Sequence, residues 1–169
     1  MRVNILPQSM VFEGVLDENT SLDDLNAAFA KLKAANPKGV ITLDLSKVAR
    51  ANSSGILTWL KFLKNSNYPF KYVNSPVWLV SQFNMISGYF EGGSFVESFQ
   101  APYYAPQSQS SKSFNLIIGR DVPLQQDYSN FSFKNRTVNG EEFEIDFEPE
   151  QYFQFIAVNY ENFKSLKHG

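Results

Sequence analysis

The stretch GVITLDLSKVARANSSGILTWLKFLK, residues 39–64, contains three different patterns of apolar and polar residues, and together they predict the fold class. Residues 40–45 are almost continuously apolar, which is typical of a central strand buried on both faces of a parallel sheet. Residues 52–55 are small and mostly polar, and from residue 56 to residue 63 apolar side chains recur at helical spacing. A buried strand, a polar turn and an amphipathic helix in this order predict an α/β fold.

Short strands and helices alternate on both sides of this stretch. The pattern predicts, in chain order, strands at residues 3–6 and 10–16, a helix that begins after Ser21 and stops at Asn36, a strand at residues 69–73 and a third helix that ends near Gly92. The first two strands are separated by a Pro-Gln-Ser turn and predict a hairpin. The expected architecture is therefore a mixed, mainly parallel sheet with an edge hairpin and helices.

The C-terminal part has a different, aromatic-rich pattern. It predicts a strand over residues 94–104, a polar loop over 105–113 and an extended segment over 114–118. An antiparallel element with a hairpin turn at Asn139-Gly140 follows, and a terminal helix begins at Pro149. The apolar face of the antiparallel element would consist of Phe131, Phe133, Phe143, Ile145 and Phe147. We expect two units, an α/β domain at residues 1–100 and a small β-rich extension ending in a helix at residues 101–169.

Composition excludes several functions. The net charge of -2, from 15 basic and 17 acidic residues without a basic block, does not favour a nucleic-acid or membrane-surface partner. No apolar stretch reaches the roughly 20 residues of a membrane span, and the N-terminus lacks a signal-peptide pattern, so we expect a cytoplasmic protein. There is no cysteine, and the sole histidine is His168 near the chain end. An ordinary nucleophile-base dyad cannot be assembled from Ser54 unless a Lys or a carboxylate serves as the base, so we expect no enzyme. We also expect no metal and no cofactor.

The segments FEGVLD at residues 12–17 and LDLSKVARANSSG at residues 43–55 resemble the STAS family, the sulfate-transporter and anti-sigma-factor-antagonist domains. The resemblance covers about residues 3–100 and implies a STAS-like sheet. In that family a D-S-S/T-G loop opens the helix after the central strand, and its second hydroxyl is the phosphoacceptor in regulated members. Ser54 has the phosphoacceptor position, and Asn52 stands where the family usually has Asp.

The resemblance implies a non-catalytic bacterial signalling module. Its partner-binding residues would be Asn52, Ser53, Ser54 and Gly55, and its partner an anti-sigma factor or a histidine-kinase-like serine kinase. A phosphoryl group on Ser54 would add about -1.5 to -2 charges at the docking surface. Asn52 lacks the carboxylate that could bind a metal or orient the hydroxyl. The alternative interpretation is local, because Asn and Ser are common helix caps whatever the function.

The tail resembles a zinc-ribbon-like extension that follows some bacterial STAS-like domains. Residues 103–108 and 136–140 match its two metal-binding knuckles, and residues 149–153 match its P-E-x-Y-F segment. The ligand positions would be Ala105, Ser108, Arg136 and Asn139, none of which is cysteine. The resemblance implies a degenerate ribbon without metal, held by aromatic packing; the alternative is a pair of ordinary loops.

A second functional hypothesis is a small-molecule-binding STAS-like domain with an apolar cleft near the third helix. Its walls would be Trp78, Phe83 and Tyr89. The same aromatic side chains would also suit an ordinary core.

Overall fold

A computed structural model describes residues 1–35, 37 and 39–165; the predicted helix stop at Asn36 and the terminal His168 lie outside this part of the chain. Its first sheet, sheet A, has the strand order β1-β2-β3-β4-β5. The strands are β1 Arg2–Leu6, β2 Ser9–Leu16, β3 Ile41–Ala51, β4 Phe70–Val73 and β5 Phe95–Val96. β1 pairs antiparallel with β2, and all other neighbours are parallel. The predicted α/β class, with a mainly parallel sheet and an edge hairpin, is confirmed.

Two helices, α1 Leu22–Ala35 and α2 Ser53–Ser66, pack on the same face of sheet A. The Phe29 ring of α1 and the Phe62 ring of α2 lie 5.6 and 5.7 Å from the Phe70 ring of β4. α1 begins where predicted, because the Ser21 hydroxyl accepts a hydrogen bond from the Asp24 amide at 3.1 Å. Burying each of these aromatic side chains stabilises the fold by about 1.5–3 kcal/mol.

The central strand β3 is buried on one face only. Leu43 and Leu45 are fully buried, whereas Thr42 and Asp44 between them are half-buried. The expectation of a strand buried on both faces is therefore wrong. α1 and α2 cover the face that carries Leu43, and the opposite face is only partly covered.

The third helix, α3 Val77–Met85, is shorter than predicted. Ile86 already has extended backbone, with φ -129° and ψ 130°, and Gly88 has φ 108°, a conformation that glycine tolerates. The segment towards Gly92 contains only a 3₁₀ turn at Glu91–Gly93. The helical spacing of apolar residues extends beyond the end of α3, because the residues that follow the helix lie in a turn and still pack in the core.

A second sheet, sheet B, has the order β7-β6-β9-β8. Its strands are β6 Ser98–Ala105, β7 Ser110–Ile117, β8 Arg136–Val138 and β9 Glu141–Ile145. The predicted turn at Asn139-Gly140 is confirmed, with φ values of 52° and 81°. The predicted loop at residues 105–113 is wrong in its second half, because β7 starts at Ser110 and pairs with β6. Phe131 and Phe133 lie outside the strands.

The chain continues after sheet B as three short helices instead of the single terminal helix predicted. They are α4 Pro149–Tyr152, α5 Gln154–Val158 and α6 Tyr160–Ser165. Pro149 opens α4 as predicted, since its missing N–H has no partner in a first turn. None of the described helices is long and apolar enough to cross a membrane.

The C-terminal elements pack against both sheet A and α3. β6 spans residue 100, the predicted boundary, and Phe99 in this strand forms a bridge with Ser75 after β4. The Asn84 side chain of α3 accepts a hydrogen bond from the Phe155 amide at 2.8 Å and donates one to the Tyr152 carbonyl at 3.1 Å. Asn84 thus joins the end of α3 to the helices α4 and α5.

Candidate functional site at the start of α2

Residues 52–55, the NSSG turn, connect the end of β3 to the first turn of α2. Asn52 has extended backbone, and its Oδ1 accepts a hydrogen bond from the Gly55 amide at 3.0 Å. The Asn52 carbonyl accepts from the Ile56 amide at 2.9 Å. The Asn52 side chain therefore satisfies the Gly55 amide, one of those that an α-helix leaves unpaired at its start, and the predicted Asn52 cap is confirmed.

Asn52 also joins the NSSG turn to the loop between β2 and α1. Its Nδ2 donates to Glu18 Oε2 at 2.7 Å, and its backbone amide donates to the Leu16 carbonyl at 3.0 Å. Hydrogen bonds from the Glu18 backbone amide and from Asn52 hold the pKa of the Glu18 carboxyl below its ordinary value. The asparagine amide accepts from Gly55 and donates to Glu18 at the same time, which a carboxylate at position 52 cannot do.

Gly55 is required by the close approach of two backbone segments. A Cβ atom at this position would lie 2.2 Å from the Leu16 carbonyl oxygen and 2.5 Å from the Asp17 nitrogen. Gly55 is buried, while the three residues before it are exposed. The start of α2 is therefore packed against the end of β2, and the glycine of the motif has a steric role.

Ser53 and Ser54 occupy the first turn of α2 with exposed side chains. No residue in the described part of the chain forms a hydrogen bond with either hydroxyl. The first turn contains no acidic residue, so the positive end of the helix dipole is open to an added negative charge. Both hydroxyls are accessible to another protein, on a backbone that Asn52 and Gly55 hold in place.

The exposed side of α2 beyond the serines combines one apolar residue with two cations. Leu57 is 55% exposed, and Lys61 and Lys64 are exposed further along the helix. Ser53, Leu57 and Lys61 follow at intervals of four residues and therefore lie along one side of the helix. We call Ser53, Ser54, Leu57, Lys61 and Lys64 the α2 face. It can bind an apolar side chain flanked by carboxylates.

Among the residues implied by the resemblance, the structure brings Asn52, Ser53, Ser54 and Gly55 together because they are consecutive. Glu18 was not predicted, since its contact with Asn52 joins positions 34 residues apart and no local pattern marks it. The apolar member of the α2 face, Leu57, had a signal in the sequence: it stands beside the apolar stripe of the helix instead of within it.

The four predicted ligand positions of the tail lie on two neighbouring hairpins. Tyr104 of β6 pairs with Glu144 of β9, so the turn after β6 and the turn before β9 meet at the same end of sheet B. Ala105 is buried at the end of β6, and the Ser108 and Ser110 hydroxyls lie 2.6 Å apart. Asn139 lies in the β8–β9 turn. Within the described residues, no group of three or more His, Cys, Asp or Glu side chains is arranged to hold a metal ion.

Arg136, the remaining position, lies against aromatic rings. Its guanidinium carbon is 5.3 Å from the centre of the Phe114 ring and 5.9 Å from that of Tyr103. Arg136 Nη2 also lies 3.9 Å from Asp121 Oδ1, and Arg120 Nη2 is 2.8 Å from Asp121 Oδ2. Cation-π contacts and an ion-pair network therefore occupy this side of sheet B.

The carboxylate of Asp121 connects this network to the end of β7. Oδ2 accepts a hydrogen bond from the Ile117 amide at 2.9 Å. Partial burial raises the pKa of the Asp121 carboxyl, but the hydrogen bonds from Arg120 and Ile117 and the two guanidinium charges outweigh it, so the pKa lies below its ordinary value.

The predicted apolar face of the tail packs on the terminal helices. Phe143 is fully buried, and Phe131, Phe133, Ile145 and Phe147 pack partly buried against the core. The Phe153 ring lies 5.6 Å from Phe133 and 5.5 Å from Phe147. Glu142 and Glu144 are exposed on either side of the buried Phe143, so these two carboxylates lie on the solvent-facing side of β9.

A cleft of about 540 Å³ lies beside α3 and is lined by Phe83, Met85, Phe90 and Val158 among others. Of the three predicted wall residues only Phe83 lines it. Trp78 donates its indole N–H to the Val48 carbonyl at 2.8 Å, and Tyr89 is buried in the core. The prediction that Trp78 and Tyr89 line this cleft is therefore wrong, because both side chains pack elsewhere in the fold.

Comparison with protein-family models, with curated proteins and with solved structures finds no match to this chain.

Proposed function

We propose that the chain is a non-catalytic, STAS-like regulatory module that docks a protein partner on the α2 face and is switched by phosphorylation of Ser54. The observation that carries the proposal is the exposed Ser54 hydroxyl, with which no described residue forms a hydrogen bond. It lies near exposed Leu57 at the start of a helix held by Asn52 and Gly55. The partner is a bacterial anti-sigma factor or a related histidine-kinase-like serine kinase in the cytoplasm.

The charge of the α2 face supports a switch of this kind. The kinase transfers the γ-phosphoryl group of ATP to Ser54 Oγ, ADP leaves and the hydroxyl proton passes to a base of the kinase. The phosphate adds about -1.5 to -2 charges beside Leu57, where the partner must remove water to dock. Carboxylates of the partner pair with Lys61 and Lys64 in the unphosphorylated chain. After phosphorylation, the phosphate on Ser54 repels the same carboxylates.

A photo-crosslinking experiment tests docking. A photoreactive amino acid replaces Leu57 in the full chain, and ultraviolet irradiation is carried out in cytosol of the native bacterium. We expect one crosslinked protein of the ATP-binding histidine-kinase-like class, and we expect Ser54→Asp to abolish the crosslink. Asn130→Asp, which adds the same charge at an exposed position outside α2, is the matched control and should retain it. The same crosslink in the Ser54→Asp and wild-type chains would contradict the switch.

A second candidate function is binding of a small molecule in the cleft beside α3. It is favoured by Met85 and Val158, which line this cleft and are each 75% exposed. Exposed apolar residues gathered in one cleft mark binding sites more often than scattered ones do. A thermal-shift screen of the wild-type chain and of Met85→Glu tests it: a ligand of this cleft stabilises the wild type and not the variant. If no compound raises the melting temperature of the wild-type chain, binding of a small molecule in this cleft is contradicted.

A further inference from the structure

A separate cavity, also of about 540 Å³, lies against the face of sheet A opposite to α1 and α2. Its floor consists of Thr42, Lys71 and Phe95, which are direct neighbours across the parallel strands β3, β4 and β5. Lys71 stands next to Phe70 in β4, and Phe70 packs on α1 and α2. Side chains alternate along a strand, so Lys71 points to the other face.

The roof of the cavity comes from the C-terminal half of the chain. Ile117 at the end of β7, Leu124 in the following loop and Phe163 of α6 line it. These side chains and Phe95 form the apolar part of the lining, between sheet A and the C-terminal elements. The volume of the cavity is within the range of about 300–1,000 Å³ that is usual for small-molecule sites.

The polar side chains that line the cavity are those of Gln8, Thr42, Lys71 and Glu97. Lys71 Nζ forms an ion pair with Glu97 Oε1 at 3.2 Å, which uses one of its three N–H donors. The Lys71 side chain is 29% exposed and that of Glu97 is 47% exposed, so the cation lies deeper than the carboxylate. In the part of the chain that the structure describes, no residue forms a hydrogen bond with the Thr42 hydroxyl.

We propose that this cavity binds a small monocarboxylate with an apolar body. The ligand carboxylate accepts hydrogen bonds from the remaining Lys71 donors and from the Thr42 hydroxyl, and the hydrocarbon lies against Phe95, Leu124 and Phe163. Glu97 repels a doubly charged phosphate more strongly than a monocarboxylate, and an amine in the cavity would lie beside the Lys71 cation.

This site is independent of the proposed function. The NSSG turn begins α2, which packs on the opposite face of sheet A from Lys71 and Thr42. A ligand in the cavity does not cover Ser54, so failure of either proposal leaves the other standing.

Isothermal titration of the full chain with octanoate tests the proposal, with 1-octanol as a neutral molecule that has the same hydrocarbon body. We expect octanoate to bind at one site. Lys71→Met should weaken octanoate at least tenfold and change 1-octanol less than twofold. Lys112→Met, which removes an exposed lysine of β7 outside the cavity, should change neither. Leu124→Trp fills the cavity and should abolish binding of both compounds. Circular dichroism shows whether this variant is folded.

Two-dimensional amide NMR of the wild-type chain gives the position of the ligand. Octanoate should shift the amide signals of Thr42, Lys71 and Phe95 and leave those of Asn84 and Ser87, in the cleft beside α3, unchanged. Absence of octanoate binding, unchanged octanoate affinity in Lys71→Met, or shifts confined to residues 84–90 would overturn the proposal.

Discussion

The side-chain amide of Asn52 donates a hydrogen bond to the Glu18 carboxylate over 2.7 Å, and so joins two loops that are 34 residues apart in the chain. The same amide group caps α2 through its oxygen. This double role gives a physical reason for asparagine instead of aspartate at position 52. A carboxylate at position 52 would face that of Glu18.

Asn52→Asp should therefore lower the melting temperature at pH 7, although Asn and Asp are about equally good helix caps. The penalty exists only while both carboxylates are ionised, so it should shrink as the pH falls through their pKa values. In the double variant Glu18→Gln/Asn52→Asp the new glutamine amide can donate to the carboxylate introduced at position 52, and the melting temperature should recover. Equal melting curves for the wild type, the single variant and the double variant at pH 7 would contradict this role of Asn52.

Gly55→Ala should destabilise the fold, because the added methyl group would lie 2.2 Å from the Leu16 carbonyl oxygen. The Leu16 oxygen belongs to the backbone, and the added methyl group is attached directly to the backbone of α2. Neither can rotate away from the other, so β2 and α2 must move apart. Overpacking of this kind costs about 1–3 kcal/mol, which urea denaturation can measure. Ser54→Ala, at the exposed neighbouring position, is the control and should stay within about 0.5 kcal/mol of the wild type. A Gly55→Ala protein as stable as the control would show that the two segments are not held in contact.

Asp121→Asn should destabilise the fold by about 1–3 kcal/mol, since it weakens the hydrogen bond to the Ile117 amide and removes the charge facing Arg120 and Arg136. The folded-state pKa of Asp121 is lowered, so its stabilisation is present above the pKa of the unfolded chain and is lost as the pH falls through the folded value. The difference in unfolding free energy between the wild type and Asp121→Asn should therefore decrease in acid. Asp146→Asn, at an exposed position of the same region, is the control and should have little effect on the unfolding free energy.

Residues 101–169 expressed alone should be unfolded, with or without added zinc. The fragment loses the first residues of β6 and the contacts of Phe155 with Phe83 and Phe99, whose ring centres lie 5.6 and 5.4 Å from it. It also loses both Asn84 hydrogen bonds. Circular dichroism and thermal unfolding of the fragment, with the full chain as control, measure this. A cooperative unfolding transition of the fragment, or stoichiometric zinc in the full chain by elemental analysis, would contradict a metal-free extension that depends on the first domain.

Local patterns were sufficient where short-range chemistry decides the structure. The β1–β2 hairpin, the Asn52 cap, the Pro149 helix start and the Asn139-Gly140 turn each depend on a few consecutive residues. They could be predicted from the sequence because turn and cap conformations are properties of those residues themselves.

Contacts between distant segments could not be predicted in the same way. β7 begins with polar Ser110, and only its pairing with β6 makes that segment a strand. The terminal helix pattern breaks at Phe153 and Asn159, where the backbone leaves helical geometry while Phe153 packs among the rings of Phe133 and Phe147. The Asn52–Glu18 contact, and a cavity lined by both Thr42 and Phe163, likewise depend on the fold as a whole.

Phosphate mapping by tandem mass spectrometry, on the full chain recovered from its native bacterium during growth and in stationary phase, tests whether Ser54 is the phosphorylated residue. We expect a phosphate on Ser54 and none on Ser53, and we expect no phosphate on the chain when Ser54→Ala replaces the wild type. Ser54 without phosphate in both growth states, or phosphate on Ser53 instead, would contradict a switch at Ser54.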